Sequence, residues 1–198
     1  MEKKIKCRAA ILFDMGLSRP FATSKPVRVE EIELDPPGFG EVLVKVSAAG
    51  LCHSDLSVVN GNRPRAMPMV LGHEGSGIIE TLGDGVENFK VGDHVVFVFV
   101  PSCGNCIPCK EGRPALCEPG LAAGGAGTLL SGEKRIRLNG DLINHQVGVS
   151  CFAEYTVVSC KSLVKVEKNL PLDEAALFGC AVITGAGAVF NTANIRVG

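Results

Sequence analysis

The feature that most constrains this chain is a loop carrying four cysteines, spaced Cys103-x2-Cys106-x2-Cys109-x7-Cys117. Two residues between cysteines let one loop turn its sulfurs toward a common Zn2+ at about 2.3 Å, and four thiolates complete a tetrahedron with no open position. Polar loop residues separate the cysteines, so four packed and metal-free thiols are a poor alternative. The spacing predicts a structural metal site, and iron is the closest rival to zinc because four thiolates also suit iron.

Length, charge and apolar content limit the kinds of protein this chain can be. Its 198 residues suffice for one well-buried domain, or for one domain and the beginning of another. The formal net charge of −1 provides no electrostatic footprint for nucleic acid or for an acidic membrane surface. No stretch resembles a signal peptide or reaches the roughly 20 apolar residues of a membrane span. We therefore expect a cytoplasmic, reducing location, in which regularly spaced cysteines bind metal or act in catalysis.

Hydrophobic periodicity predicts a mainly β fold with short helices, because the apolar residues alternate over most segments. The series Val42, Val44 and Val46 against Lys45 and Ser47 is an example. The strands are expected at 7–13, 27–34, 41–49, 75–82, 95–100, 152–158 and 163–166. Helices are expected at 54–59 and from Pro171 onward, residues 120–132 are expected to form an exposed loop, and His145 is expected to be an ordinary loop or surface residue.

A second candidate metal site is divided between distant segments. Cys52-His53-Ser54-Asp55 and Gly72-His73-Glu74 together offer a thiolate, imidazoles, a hydroxyl and carboxylates. A catalytic zinc needs three protein ligands and an open fourth position, and Cys52 with His73 supplies two of them. Cys180 is the best candidate for the third ligand, because it begins a helix of small residues after Phe178-Gly179.

These motifs, in this order and at comparable distances, resemble the zinc-dependent alcohol dehydrogenases of the medium-chain dehydrogenase/reductase family. The resemblance covers essentially the whole chain. It implies an α+β, mainly β catalytic domain of the GroES-like type, a partly open β-barrel that is incomplete at its C-terminus. Residues 1–183 would form that domain, and residues 184–198 would form a helix and linker leading to a Rossmann domain that the chain does not contain.

The resemblance also implies a role for each candidate metal-site residue. Cys52, His73 and Cys180 would ligate a catalytic zinc, and the four-cysteine loop would hold a structural zinc, which makes two Zn2+ per chain. Asp55 would accept the distal N–H of His73, as carboxylates behind metal-bound histidines do; its alternative role is that of a first-turn carboxylate of a helix. Glu74 would lie close behind the metal, or would instead point into solvent.

Further roles implied by the resemblance concern proton transfer, coenzyme and substrate. Ser54 would hydrogen-bond the alcohol and take up its proton, but Ser57 stands where well-known relatives carry a histidine, so the final proton acceptor is open. His53 would face the cofactor pyrophosphate and Thr184 would lie near the nicotinamide. Phe99 would line the substrate channel, with an ordinary core position as the alternative.

The function implied is that of an oxidoreductase fragment. The parent enzyme would interconvert small-molecule alcohols and aldehydes or ketones by hydride transfer to NAD or NADP, while this chain alone would be inactive. We expect the parent to be a homodimer or homotetramer, without a nucleic acid or membrane partner. Two alternatives stay open: a glutathione-dependent formaldehyde dehydrogenase, and a stand-alone zinc-binding module without enzymatic activity.

Overall fold

The computed structural model describes residues 4–193 and 195, in which strands predominate and the helices are short. The strands are β1 (Ile5–Leu12), β2 (Val27–Leu34), β3 (Glu41–Ala49), β4 (Met69–Val70), β5 (Gly75–Leu82), β6 (His94–Phe97), β7 (Ile136–Leu138), β8 (Asp141–Leu142), β9 (Asn144–His145), β10 (Tyr155–Ser159) and β11 (Leu163–Val166). The helices are α1 (Phe21–Ser24), α2 (His53–Val59), α3 (Ile107–Lys110), α4 (Glu118–Ala126), α5 (Leu172–Ala175) and α6 (Ala181–Gly187). Helix α6 continues as a π-helix over Ala188–Thr192.

The strands form two sheets around a shared apolar core. One sheet has the order β8-β7-β2-β1-β4-β9 and the other the order β10-β3-β5-β6-β11. Ile11 and Leu34 of the first sheet pack in one cluster with Leu43 and Val157 of the second. The predicted mainly β architecture is confirmed, and burial of these alternating apolar side chains is what stabilises it.

The pairing of β3 with β5 positions the second candidate site. The two strands are antiparallel, and Ala49 at the end of β3 lies opposite Gly75 at the start of β5. The pairing extends past the strand ends, because the N–H of Gly50 donates to the carbonyl of Glu74 at 2.9 Å. Residues just after β3 and just before β5 are therefore held side by side, and these are the two segments that contain Cys52 and His73.

The expectation of an exposed loop at 120–132 is wrong, because helix α4 occupies much of that stretch. The N–H of Gly120 donates to the Cys117 sulfur at 3.4 Å, which caps the start of the helix. Gly120 and Gly124 are buried, and a side chain at either position would meet Pro101 or Val147. At Gly120 the low helix propensity of glycine is thus outweighed by close packing against Pro101 that only glycine permits, whereas the contact of Gly124 with Val147 leaves room for a small side chain.

His145 is also placed differently from the prediction, since it is fully buried in β9 and not on the surface. Strand β9 pairs in parallel with β4, with His145 opposite Val70. The Nε2 atom of His145 accepts a hydrogen bond from the N–H of Arg135 at 3.1 Å. The polar neighbours of His145 in the sequence conceal this burial, which depends on a contact between distant strands.

The C-terminal part of the chain is helical where the structure describes it. Pro171 caps α5, with Asp173 and Glu174 in its first turn as predicted. Taken alone, none of the described helices has the length and apolar content to cross a membrane; the bent pair Leu172–Gly179 and Ala181–Thr192 meets those criteria only jointly. Within the predicted linker 184–198, residues 194 and 196–198 lie outside the described part.

Candidate metal centre

The structure brings together the three residues predicted to form the second site. The sulfur atoms of Cys52 and Cys180 lie 3.8 Å apart, and the Cys180 sulfur lies 3.6 Å from Nε2 of His73. All three potential ligand atoms lie within 4.8 Å of one another. His73 is fully buried, whereas both cysteines are partly accessible. The cluster is therefore fixed at its imidazole and open on its sulfur side.

Asp55 is hydrogen-bonded to two of the three cluster residues, His73 and Cys52. Its Oδ1 lies 2.8 Å from Nδ1 of His73, which leaves Nε2 to face the sulfurs. Its Oδ2 accepts the N–H of Cys52 at 3.1 Å, which completes a capping box at the start of α2. The two roles considered for Asp55 are thus not exclusive, because one carboxylate orients the imidazole and caps the helix.

Gln146 is a buried residue of this site that the sequence analysis did not identify. Its Nε2 donates to Oδ1 of Asp55 at 2.8 Å, and its Oε1 accepts the N–H of Gly72 at 2.5 Å. The backbone N–H of Gln146 donates to the Ser150 hydroxyl at 2.9 Å. One side-chain amide thus connects the carboxylate behind His73 to the backbone N–H of Gly72, the residue before His73. The only signal in the sequence is a glutamine after His145, which does not suggest this role.

Glu74 is buried and does not point into solvent. Its Oε1 accepts the N–H of Ala181 at 3.0 Å, in the residue that follows Cys180. A side chain at Gly50 would crowd the Glu74 carboxyl group. Glu74 therefore anchors the segment that delivers Cys180, which explains how a residue so distant in sequence reaches Cys52 and His73.

The electrostatics of the cluster favour a bound cation. Burial, and then the adjacent Cys52 sulfur, raise the pKa of Cys180 to about 12. Burial also acts to raise the pKa of Cys52, but hydrogen bonding from Ser54 outweighs it and the pKa of Cys52 is lowered overall. Burial opposes protonation of His73, yet Asp55 raises the pKa of its imidazole above the ordinary value. A divalent cation stabilises the thiolate form of cysteine and the neutral form of imidazole, so it opposes the raised pKa values of Cys180 and His73.

The four-cysteine loop forms a second compact cluster, with its sulfur atoms within 4.8 Å of one another. None of the nine cysteines is in a disulfide. Backbone N–H groups point at the sulfurs: Cys106 donates to Cys103 at 3.3 Å, and Cys103 donates to Cys117 at 3.2 Å. Such bonds from Asn105 and Cys106 lower the pKa of Cys103 to about 6. The loop is thus preorganised for thiolates, as four-sulfur metal sites require.

The residues predicted for proton transfer and coenzyme contact lie on α2 and α6. Ser54 is in the first turn of α2, with its N–H 3.5 Å from the Cys52 sulfur. His53 is exposed, and its Nδ1 lies 3.3 Å from the Ser57 hydroxyl. Thr184 is exposed on α6, where its N–H donates to the carbonyl of Cys180 at 3.0 Å.

Phe99 contacts the cluster from the side of an apolar cavity. Its ring meets the His73 imidazole edge-on, with 4.9 Å between centroids and an interplanar angle of 86°. Phe99 lies two residues past the end of β6, which is shorter than predicted. Together with Leu121, Gly179 and Ile183, it lines a cavity of about 510 Å³. Phe99 is thus shared between the wall of this cavity and the contact with His73.

A mainly β domain with a three-residue Cys-His-Cys cluster and a four-cysteine loop defines the class as a GroES-like domain of the alcohol dehydrogenase type. The family model described as the alcohol dehydrogenase GroES-like domain matches residues 38–168, and the chain belongs to that family.

Particular relatives agree with this assignment. The chain is 42% identical over 197 residues to alcohol dehydrogenase class-3 of Drosophila melanogaster, covering 99% of this chain and 50% of that protein. It is 43% identical over 195 residues to S-(hydroxymethyl)glutathione dehydrogenase of Komagataella pastoris, covering 98% and 49%. Its fold is similar to an alcohol dehydrogenase zinc-binding domain protein from Burkholderia ambifaria, with a TM-score of 0.88, 34% identity, and coverage of 99% and 51%. The chain spans about half the length of the curated relatives it matches.

Proposed function

We propose that this chain is the zinc-binding catalytic domain of an oxidoreductase that interconverts alcohols and aldehydes or ketones with NAD or NADP. The observation that carries the proposal is the cluster of Cys52, His73 and Cys180. It presents three ligand atoms, and its sulfur side is accessible to a small molecule. Catalytic zinc sites characteristically combine three protein ligands with an open fourth position.

The spacing of the cluster fits zinc. In a tetrahedral Zn2+ site, two sulfurs lie about 3.8 Å apart, and a sulfur and an imidazole nitrogen lie about 3.6 Å apart. The observed separations are 3.8 Å between Cys52 and Cys180, and 3.6 Å between Cys180 and Nε2 of His73. The four-cysteine loop likewise suits a structural zinc, so we propose two Zn2+ per chain.

The surrounding residues orient the ligands and provide a route for a proton. When bound, zinc supplies Lewis acidity that makes a substrate hydroxyl easier to deprotonate. Asp55 keeps Nε2 of His73 directed at the cluster through its hydrogen bond to Nδ1. We assign Ser54, whose N–H lies 3.5 Å from the Cys52 sulfur, as the residue whose hydroxyl receives the alcohol proton. Glu74 holds Cys180 in place through the N–H of Ala181.

For the final proton acceptor, we propose a pair of residues on the surface of α2. Ser57 replaces the histidine found in well-known relatives, but its hydroxyl lies 3.3 Å from Nδ1 of the exposed His53. An exposed imidazole can accept a proton at one ring nitrogen and donate one to water from the other. We propose that His53 and Ser57 together pass the proton to solvent, in addition to the contact of His53 with the cofactor pyrophosphate.

The proposal is tested on the natural protein that contains this chain, assayed for alcohol-dependent reduction of NAD and of NADP. Replacing Ser54 by alanine should lower kcat by about a hundredfold, the scale of general acid–base contributions, while leaving the zinc content at two. Absence of turnover by the unaltered, zinc-loaded protein with primary and secondary alcohols would favour a zinc-binding module without enzymatic activity. Sedimentation of the same sample tests the proposed homodimer or homotetramer.

A second candidate is an S-(hydroxymethyl)glutathione dehydrogenase, because a relative with 43% identity carries that name. Its substrate is formed by formaldehyde and glutathione together. Turnover with the mixture, and none with formaldehyde or simple alcohols alone, would select this candidate. Turnover with simple alcohols that glutathione does not alter would select the first.

A further inference from the structure

We infer that Asn139 is a site of spontaneous chemical modification, at which its side-chain amide is lost through a cyclic imide formed with the nitrogen of Gly140. The product is an aspartyl or an isoaspartyl residue, and the isoaspartyl form is the class of substrate that isoaspartyl methyltransferases recognise. The inference does not rest on the proposed function, because the hairpin concerned shares no residue with either cysteine-rich cluster.

The sequence contains two Asn-Gly pairs, Asn60-Gly61 and Asn139-Gly140. Glycine after asparagine favours the reaction, because it has no side chain to hinder the approach of its nitrogen to the amide carbon of the asparagine. The local sequence therefore predicts the same reactivity for both pairs, and only the fold can make them differ.

The Asn139-Gly140 pair forms the exposed two-residue turn between β7 and β8. The φ angle is +53° at Asn139 and +94° at Gly140, which defines a type I′ turn. Within residues 4–193, the peptide that joins the pair has no hydrogen-bond partner at its C=O or its N–H, and the Asn139 side chain has none. The space beside Gly140 is open, since nothing lies within 4 Å of an added Cβ. The attacking nitrogen and the amide it attacks are thus both free.

Ring closure requires the rotation of that one peptide only. The five-membered imide sets ψ of Asn139 at about −120° while φ stays positive, and this is the conformation of the first central residue in a type II′ turn. Types I′ and II′ both connect strands in two-residue hairpins, so β7 and β8 stay paired during the change. Nη1 of Arg137 donates to the carbonyl of Gly140 at 2.9 Å, and its Nε lies 2.8 Å from Asp35, which holds the next peptide in place.

The Asn60-Gly61 pair is held in a conformation that opposes the reaction. Oδ1 of Asn60 accepts the N–H of Asn62 at 3.0 Å. The N–H of Gly61 donates to the carbonyl of Val58 at 3.1 Å, at the end of α2. The nitrogen that would attack and the side chain it would attack are therefore both engaged, and both hydrogen bonds must break before the ring can form.

The reaction balances with water as the only co-reactant. Hydroxide removes the N–H proton of Gly140, and the nitrogen forms a bond to Cγ of Asn139. The side-chain nitrogen takes up a proton from water and leaves as ammonia, which closes the imide ring. Water then opens the ring: cleavage at Cγ gives the aspartyl product, and cleavage at the backbone carbonyl carbon gives the isoaspartyl product.

The test incubates the whole zinc-loaded chain in mildly alkaline buffer and follows the peptide that contains each pair by mass spectrometry. Replacement of an amide –NH2 by –OH identifies the modified peptide. Methyl transfer from S-adenosylmethionine by an isoaspartyl methyltransferase measures the isoaspartyl product. We expect modification at Asn139 to be about thirtyfold faster than at Asn60, the scale for two hydrogen bonds that must break first.

The matched control is the same chain unfolded in urea, in which the two pairs should react at similar rates because only their local sequence remains. Asn139→Gln is the control for the position of the reaction. Its amide would have to form a six-membered ring, which closes far more slowly, so this peptide should stay unmodified.

Equal modification of the two pairs in the folded chain, or modification of neither, would overturn the inference. So would a difference that persists in urea, because the fold would not be its cause. Modification of the same peptide at an unchanged rate in Asn139→Gln would place the reaction at another residue and overturn the assignment.

Discussion

The side-chain amide of Gln146 donates to Oδ1 of Asp55 at 2.8 Å, and both residues are buried. The same oxygen lies 2.8 Å from Nδ1 of His73. Asp55 therefore receives hydrogen bonds from two side chains at one oxygen and from the Cys52 backbone at the other. Three donors to one carboxylate hold it in place, which in turn fixes the tautomer and orientation of the imidazole.

Replacing Gln146 by methionine should weaken zinc binding at the Cys52, His73 and Cys180 site by about tenfold, the lower end for partners behind a metal ligand. Methionine is close to glutamine in shape but lacks both of its hydrogen-bonding groups. Competition with a chromophoric chelator measures the affinity of each zinc. The four-cysteine site is the internal control, and an equal loss at both sites would show a general effect on folding instead.

Replacing Cys180 by serine should remove one zinc and leave one, because the four-cysteine loop shares no residue with the three-ligand cluster. Elemental analysis of the purified variant, with protein quantified by amino-acid analysis, measures the stoichiometry. A matched Cys103→Ser variant should lose the other zinc. Loss of both ions from the Cys180 variant would contradict the two-site arrangement.

Replacing Gly72 by alanine should destabilise the domain by about 3 kcal/mol, the scale for overpacking combined with a left-handed backbone. Gly72 has a φ of +98°, and an added Cβ would collide with the backbone and ring of Phe152. Gly112 is the control: its φ is +75°, but nothing lies within 4 Å of an added Cβ. Gly112→Ala should cost about 1 kcal/mol. Urea unfolding gives the loss of stability in each variant. Equal losses for Gly72→Ala and Gly112→Ala would mean that backbone strain alone, without the collision at Phe152, accounts for the destabilisation.

Stability should fall in mild acid because of His145. Burial, with a further contribution from Lys134 and Arg135, lowers its pKa from 6.5 to about 3. Between those pH values the unfolded chain binds the extra proton, so the contribution of His145 is complete above pH 6.5 and is lost as the pH falls toward 3. From pH 7 to pH 5 the loss amounts to about 2 kcal/mol.

The His145→Gln variant tests this, since an amide oxygen can still accept the N–H of Arg135 but does not titrate. Urea unfolding at pH 7 and pH 5 gives the free energy of unfolding of each protein. The difference between wild type and variant should shrink at pH 5. Parallel curves at the two pH values would show that His145 does not contribute.

Local patterns foretold the strands accurately where alternation was clear, as in β3 (Glu41–Ala49) and β5 (Gly75–Leu82), whose bounds match the prediction. The same patterns gave wrong predictions where contacts between distant segments determine the local structure. Helix α4 forms despite its glycines because Gly120 allows close contact with Pro101. His145 is buried because β9 pairs with β4, which no periodicity in its neighbours signals.

The sequence by itself determined the two cysteine-rich metal motifs, the mainly β class and the family, because ligand spacing and apolar alternation are local properties of the chain. Only the tertiary structure decided how Cys180 meets Cys52 and His73, and how Gln146 and Glu74 support them. Those contacts depend on strand pairing and on buried hydrogen bonds between segments far apart in sequence. Partners such as Gln146 are selected by the geometry of the whole fold, so no spacing along the chain reveals them.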